Sequence, residues 1–258
     1  MRTSAIVNLK GGVAKTATTI NVAAILASVH NKRVLVIDAD SQCNTTEFFG
    51  CDPDVGNLAN VLRADRDNGE FAVASIQPTN FSGIDLLAGD DSLMDLDLTK
   101  VELQSVQAIV LHDMIRRLAD IGAYDYCLVD CPPAFNAASA AALIAADDVI
   151  IPIKLDAFSL RGMTCLLRQI SNMRKINPRL RLAGCLPTMW YKSEKLQEAE
   201  ATLRNSGLPV FQPIRRSDKV DDMTFVQDPL LISSPRSSAG ADYRKFVLEY
   251  IVGGPCNG

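Results

Sequence analysis

The chain has 258 residues, 48% of them apolar and 22% charged, with a net charge of −4, which excludes a disordered chain because enough apolar surface is available to offset the entropy of folding. No run of 18 residues is free of charge and apolar throughout, so no membrane-spanning helix is expected, and from Met1-Arg2-Thr3-Ser4 no secretion signal is expected either. The small net charge conceals an asymmetry: residues 1–160 hold 11 Lys/Arg against 21 Asp/Glu, a balance of −10, whereas residues 161–258 hold 15 against 9, a balance of +6, which leaves room for a basic face that binds a polyanion.

In chain order, Ser4 to Leu9 reads as a short buried strand, Gly11-Gly12 as a loop, and Lys15 to His30 as a helix rich in Ala, Ile and Val. Val34-Leu35-Val36-Ile37 is a second strand ending at Asp38. Strand, glycine loop, helix and strand make a βαβ unit, and continuous apolar strands indicate a parallel sheet covered on both faces. The rhythm continues with strand Ile84–Leu87, helix Val106–Ile121, strand Tyr126–Val129 ending at Asp130, helix Ala137–Ala146 and strand Val149–Ile153. Helix Leu160–Ile176, strand Leu182–Leu186, helix Glu194–Ser206 closed by Gly207, short strand Val210-Phe211 and helix Ala241–Val252 complete it. The acidic stretch Asp85–Glu102 reads as solvated surface. No repeat, low-complexity tract or linker is visible, so residues 1–258 are expected to form one α/β domain: a doubly wound, mostly parallel twisted sheet with helices on both faces.

Lys10-Gly11-Gly12-Val13-Ala14-Lys15-Thr16 lies between a strand and a helix. A nucleotide phosphate needs converging backbone N–H groups, the positive end of a helix, a lysine for the β/γ oxygens and a hydroxyl for Mg²⁺, and this segment supplies all four. The common GxxxxGK[ST] pattern is not met, because Leu9 and Ala14 occupy its glycine positions; the match is to KGGxxK[ST], with the extra Lys10. Together with Val34 to Asn44 and with Tyr124 to Pro133, the segment resembles the ParA/MinD (Soj-like) ATPases, and within them the ParA DNA-partition proteins.

That resemblance implies a deviant Walker A P-loop fold and site roles. Lys10, Gly11, Gly12, Val13, Ala14, Lys15, Thr16 and Ala17 would bind ATP or ADP; Lys15 would hold the β/γ-phosphates, and Lys10 would cross a dimer interface to the partner's nucleotide. Thr16 would ligate Mg²⁺ directly and Asp130 through water, with Asp38 in the metal shell and Asp40 orienting the attacking water. Strand-end carboxylates beside a phosphate loop suit such chemistry, helix capping being the alternative for Asp38 and Asp40. Pro213 and Arg215 are the expected adenine contacts, an ordinary strand end being the alternative.

Three departures bear on affinity. Ala14 replaces a glycine, and a positive φ there would cost about 1 kcal/mol; Ala17 replaces a threonine; Ser41 replaces a proline, while Gln42 and Asn44 remain. A weak or slow, partner-stimulated ATPase is therefore expected.

The resemblance further implies an ATP-dependent homodimer, a ParB-like activator, and non-specific DNA binding in a bacterial cytoplasm, on the nucleoid. Candidate phosphate-contacting cations are Lys192, Lys195, Arg215, Arg216 and Lys219, each with a solvated helix face as its plain alternative. The terminal helix carries few cations and suits core packing better than membrane binding, and the short form, without a helix-turn-helix extension, is expected. Two other classes stay open: a MinD-like positioning ATPase or a metabolic P-loop enzyme, and an iron–sulfur ATPase using Cys131. The seven cysteines form no CxxC pair, and reduced thiols are expected.

Overall fold

A computed structural model describes residues 1–64, 69–96 and 106–255. Seven strands form one sheet in the order β3-β4-β2-β5-β1-β6-β7: β1 (Arg2–Ile6), β2 (Val34–Asp38), β3 (Gln77–Pro78), β4 (Ile84–Leu87), β5 (Tyr126–Asp130), β6 (Asp148–Lys154) and β7 (Arg181–Thr188). All pairings are parallel except the short edge pair β3–β4. The helices are α1 (Lys15–Ser28), α2 (Asn44–Phe49), α3 (Leu58–Arg63), α4 (Gly69–Ala74), α5 (Val106–Asp120), α6 (Ala137–Ala145), α7 (Ala157–Met173), α8 (Glu194–Arg204), α9 (Lys219–Val226), α10 (Leu230–Ser233) and α11 (Ser238–Ile251). The expected doubly wound architecture is observed.

Continuous apolar strands serve two cores, because alternate residues point to opposite faces. Ala5, Leu35, Ile37, Cys127, Val129, Val149 and Ile151 face one core, shared with α3, α5, α6 and α7. Ile6, Val34, Val36, Leu128 and Ile150 face the other, shared with α1, α2 and α11. α11 buries Tyr243, Phe246, Val247 and Tyr250 in that second core. Its C-terminal end is tied to β1: Arg2 donates to the Tyr250 carbonyl at 2.9 Å and lies 3.9 Å over the Tyr250 ring. Among the described residues no helix is long and apolar enough to cross a membrane.

Some expectations are corrected. Val210-Phe211 is not a strand but one bridge, Val210 beside Cys185, because the chain meets β7 only long enough to bury the Phe211 ring 4.7 Å from Phe246. The acidic stretch is not all surface, since Leu86, Leu87 and Ala88 are fully buried; its residues 97–102 lie outside the described residues, as does Cys256. The loop after β1, Asp38 of β2 and Asp130 of β5 lie at the C-terminal ends of three neighbouring parallel strands. From β1 the chain winds first towards β2 and later, through β6, the other way, which creates the crevice where such sheets bind ligands.

Candidate active site

The turn from β1 into α1 is held open. Gly12 has φ 67° and Ala14 has φ 65° and ψ 34°, so two residues of the loop are left-handed. A Cβ added at Gly11 or Gly12 would meet nothing beyond its chain neighbours within 4 Å, so both glycines face open space. Ala14 caps α1 without any side-chain hydrogen bond, which leaves the first amides of the helix free for an anion. The positive φ at Ala14, conditional in the sequence reading, is present. Val13 is buried, and its carbonyl accepts from the Thr188 hydroxyl at 3.1 Å.

Lys15 is 7% exposed, and its Nζ donates to the Lys10 carbonyl at 3.3 Å. Burial lowers its pKa, and the charges of Asp130 and Asp40 oppose that shift. A largely buried ammonium between the glycine loop and two carboxylates is placed to bind a further anion.

Asp38 and Asp130 are register partners on adjacent strands, and both are buried. Asp130 Oδ2 accepts from the hydroxyls of Thr16 and Thr45, each at 2.7 Å, while its Oδ1 is buried and, among the described residues, has no partner. Asp38 Oδ2 accepts from Thr46 through both its N–H and its hydroxyl, each at 2.8 Å, and Oδ1 accepts from the Asp40 N–H at 3.1 Å. Burial raises both carboxyls above the usual range, and the Asp130 charge pushes Asp38 further. The orphan oxygen of Asp130, next to the Thr16 hydroxyl, fits a metal held through water. Asp38 fits less well than expected, because both its oxygens are engaged in holding the loop to α2. Asp40 is half-exposed, and its Oδ1 accepts from the Gln42 N–H at 3.1 Å. Thr45, Thr46 and Gly89, whose N–H donates to the Thr46 hydroxyl at 2.9 Å, are site residues that sequence reasoning missed. The hydroxyl pair just after Asn44 was the available signal.

Lys10 lies elsewhere than at the phosphate space. Its Nζ pairs with Asp156 at 2.6 Å and donates to the Ser159 hydroxyl at 3.1 Å. Burial works against the Asp156 charge, but the bonds from Lys10 and Ser159 outweigh it and hold the carboxyl down at about 2.

A cavity of about 330 Å³ opens beside Ala14, lined by Thr188, Met189, Tyr191, Arg215, Arg216 and Val220 among others. Arg215 borders it as expected, yet its guanidinium is bidentate on Asp242, with both contacts at 2.8 Å. Pro213 does not line this cavity. It lines a neighbouring groove with Trp190, Gln212 and Lys245, because the chain from Phe211 to Arg215 runs along β7 with Ile214 turned inward. Thr188, Met189 and Tyr191 were the missed wall. Of the candidate cations, Lys192, Lys195 and Arg216 are exposed, Arg215 is held by Asp242, and Lys219 pairs with Asp222 at 2.7 Å. Cys131 is fully buried, and burial first, then Asp130, raises its thiol; a cluster bridging two subunits needs an exposed thiolate, so this residue does not suit one. Among the described residues no group of three or more His, Cys, Asp or Glu is placed to hold a metal ion.

An open glycine loop, an uncapped helix start with a buried lysine, and paired carboxylates at the adjacent strand ends define a P-loop NTPase site. A family model described as an AAA domain matches residues 1–182. The chain is 32% identical to the chromosome partitioning protein ParA of Caulobacter vibrioides over 97% of this chain and 94% of that one. It is 31% identical to a ParA family protein of Chlamydia pneumoniae over 98% of each. Among solved structures it is similar to cobyrinic acid a,c-diamide synthase of Mycobacterium smegmatis with bound ADP and magnesium, with TM-score 0.80, 27% identity and coverage of 99% and 98%. The fold is also that of the cell division ATPase MinD of Pyrococcus furiosus, with TM-score 0.75, 21% identity and coverage of 97% and 98%. The chain belongs to the ParA/MinD family of ATPases.

Proposed function

We propose that this ATPase is a DNA-partition switch, built as one domain over residues 1–258: Mg-ATP closes two copies face to face, the dimer binds DNA non-specifically, and hydrolysis resets it. The observation that carries this reading is the free Asp130 Oδ1 beside the Thr16 hydroxyl and the uncapped start of α1. ATP and Mg²⁺ fit there, as the ADP and magnesium of the diamide synthase support. Thr16 and Asp130 would hold the ion, which when bound neutralises charge on the phosphate oxygens. Residues 11–16 offer backbone N–H groups and Lys15 its ammonium to the phosphates. Asp40, whose Oδ1 accepts from the Gln42 N–H, orients water for in-line attack.

Lys10 is held by Asp156 in the single chain, so it must leave that pair to reach a partner's nucleotide; turnover is accordingly slow and raised by a ParB-like activator. The relatives named ParA and the +6 balance of residues 161–258 support DNA as the track, in the cytoplasm and on the nucleoid. The diamide synthase neighbour favours a second reading, a metabolic enzyme on the same fold. Stimulation of ATP hydrolysis by DNA separates the two.

The test is size-exclusion with light scattering, alongside phosphate release. Asp40→Ala should dimerise with Mg-ATP and not with ADP, and Lys10→Ala should stay monomeric and lose at least tenfold in DNA-stimulated turnover. A Lys10→Ala protein that dimerises and hydrolyses like the wild type would overturn the mechanism.

A further inference from the structure

A second concave feature lies far from the phosphate loop. Ile109 and Arg116 of α5, Ile144 at the end of α6, and Ile176, Asn177 and Arg179 of the loop before β7 enclose a groove of about 420 Å³. α6 leads into the start of β6 and Arg179 into the start of β7, so the groove sits at the N-terminal edge of the sheet, whereas the nucleotide site sits at the C-terminal edge. Its floor is fixed. Asn177 is 8% exposed and donates to the carbonyls of Leu143 at 3.0 Å and Ala146 at 2.7 Å, while its Oδ1 accepts from the Arg179 N–H at 3.3 Å. The Leu143 carbonyl in the last turn of α6 and that of its C-cap, Ala146, are thereby satisfied, and the loop is pinned against the helix end. Ile144 is buried and Ile109 and Ile176 are half-buried, giving an apolar base. Arg116 and Arg179 stand exposed at the rim, and among the described residues neither guanidinium has an ion-pair partner.

We propose that this groove docks a short acidic peptide segment of a partner protein. One apolar side chain rests on the three isoleucines, and flanking carboxylates lie on Arg116 and Arg179. The charge is complementary, and planar guanidinium forks match carboxylates bidentately. An apolar base between the two arginines favours a peptide over a nucleic-acid backbone, whose phosphates make no use of isoleucine. Because the groove is at the opposite sheet edge, docking does not compete with nucleotide.

The test uses the full chain with isoleucine δ1-methyl labelling, a fluorescein-labelled peptide of alternating aspartate and leucine, and a 20-base-pair DNA duplex as the competing probe. The peptide should shift the methyl resonances of Ile109, Ile144 and Ile176 equally with and without Mg-ATP. The double variant Arg116→Glu and Arg179→Glu should bind it at least tenfold more weakly at unchanged basal ATPase rate and circular dichroism. Absence of those methyl shifts overturns the proposal, as does undiminished binding by the double variant. Displacement of the peptide by DNA at equal or lower concentration overturns it too, and makes the groove a phosphate contact instead.

Discussion

Ala14 is the residue at which this chain departs from the family pattern with a structural consequence. At φ 65° a Cβ crowds the following carbonyl, a strain glycine avoids, although glycine also leaves a more mobile unfolded chain. Ala14→Gly should therefore stabilise the protein by about 0.5–1 kcal/mol, read as a higher urea midpoint at constant m, and should tighten Mg-ATP binding by relaxing the loop. A lower midpoint would show that the left-handed turn is not strained. The buried carboxyls set a second expectation. Asp38 and Asp130 both have raised pKa values, so above the unfolded carboxylate value of ~4 the native chain binds more protons than the unfolded one, and stability falls as pH rises towards neutrality. Thermal melts without nucleotide should show this decline in the wild type and a flatter profile in Asp38→Asn. Equal slopes in the two proteins would refute the assignment.

Long helices and continuous apolar strands were legible, and the shortest helices were not. The helix expected over Lys15–His30 ends two residues early at Ser28, and strand Ile84–Leu87 matches to the residue. Hydrophobic period is a strong signal when an element repeats it several times. The six-residue helices α2, α3 and α4 and the four-residue α10 complete too few turns for that. They form because local caps and tertiary contacts hold them, as the Asn57 side chain accepting from the Asn60 N–H does for α3. α2 matters most, since it delivers Thr45 and Thr46 to the strand-end carboxylates. The turn after β4 presses on the same place: a Cβ at Gly89 would fall 2.9 Å from the Asp38 carbonyl oxygen and 3.1 Å from its carboxyl carbon. Gly89→Ala should destabilise by about 1–3 kcal/mol and lower ATP turnover, and a urea midpoint unaltered by this substitution would mean that the contact yields without cost.

For the molecule as a whole, the charge asymmetry becomes a statement about partners. Lys192, just after β7, and Lys195, in the first turn of α8, are exposed, unlike Arg215 and Lys219, which are neutralised by Asp242 and Asp222. If the exposed pair contacts DNA phosphates, Lys192→Glu with Lys195→Glu should weaken binding uniformly across sequences and reduce the slope of log affinity against log salt by about 2. An unaltered slope places the DNA face elsewhere. That the loop from Lys10 to Thr16 and the acids Asp38, Asp40 and Asp130 gather at neighbouring strand ends was readable in one dimension, because strand, glycine loop and helix follow one another at fixed spacing. Pairing choices were not: that Lys10 is held by Asp156, that Arg215 is spent on Asp242, that both Asp38 oxygens accept hydrogen bonds while, among the described residues, Asp130 Oδ1 has no partner. Those depend on which side chains from distant segments arrive within hydrogen-bond reach of one another, a matter of three-dimensional packing for which local spacing carries no information.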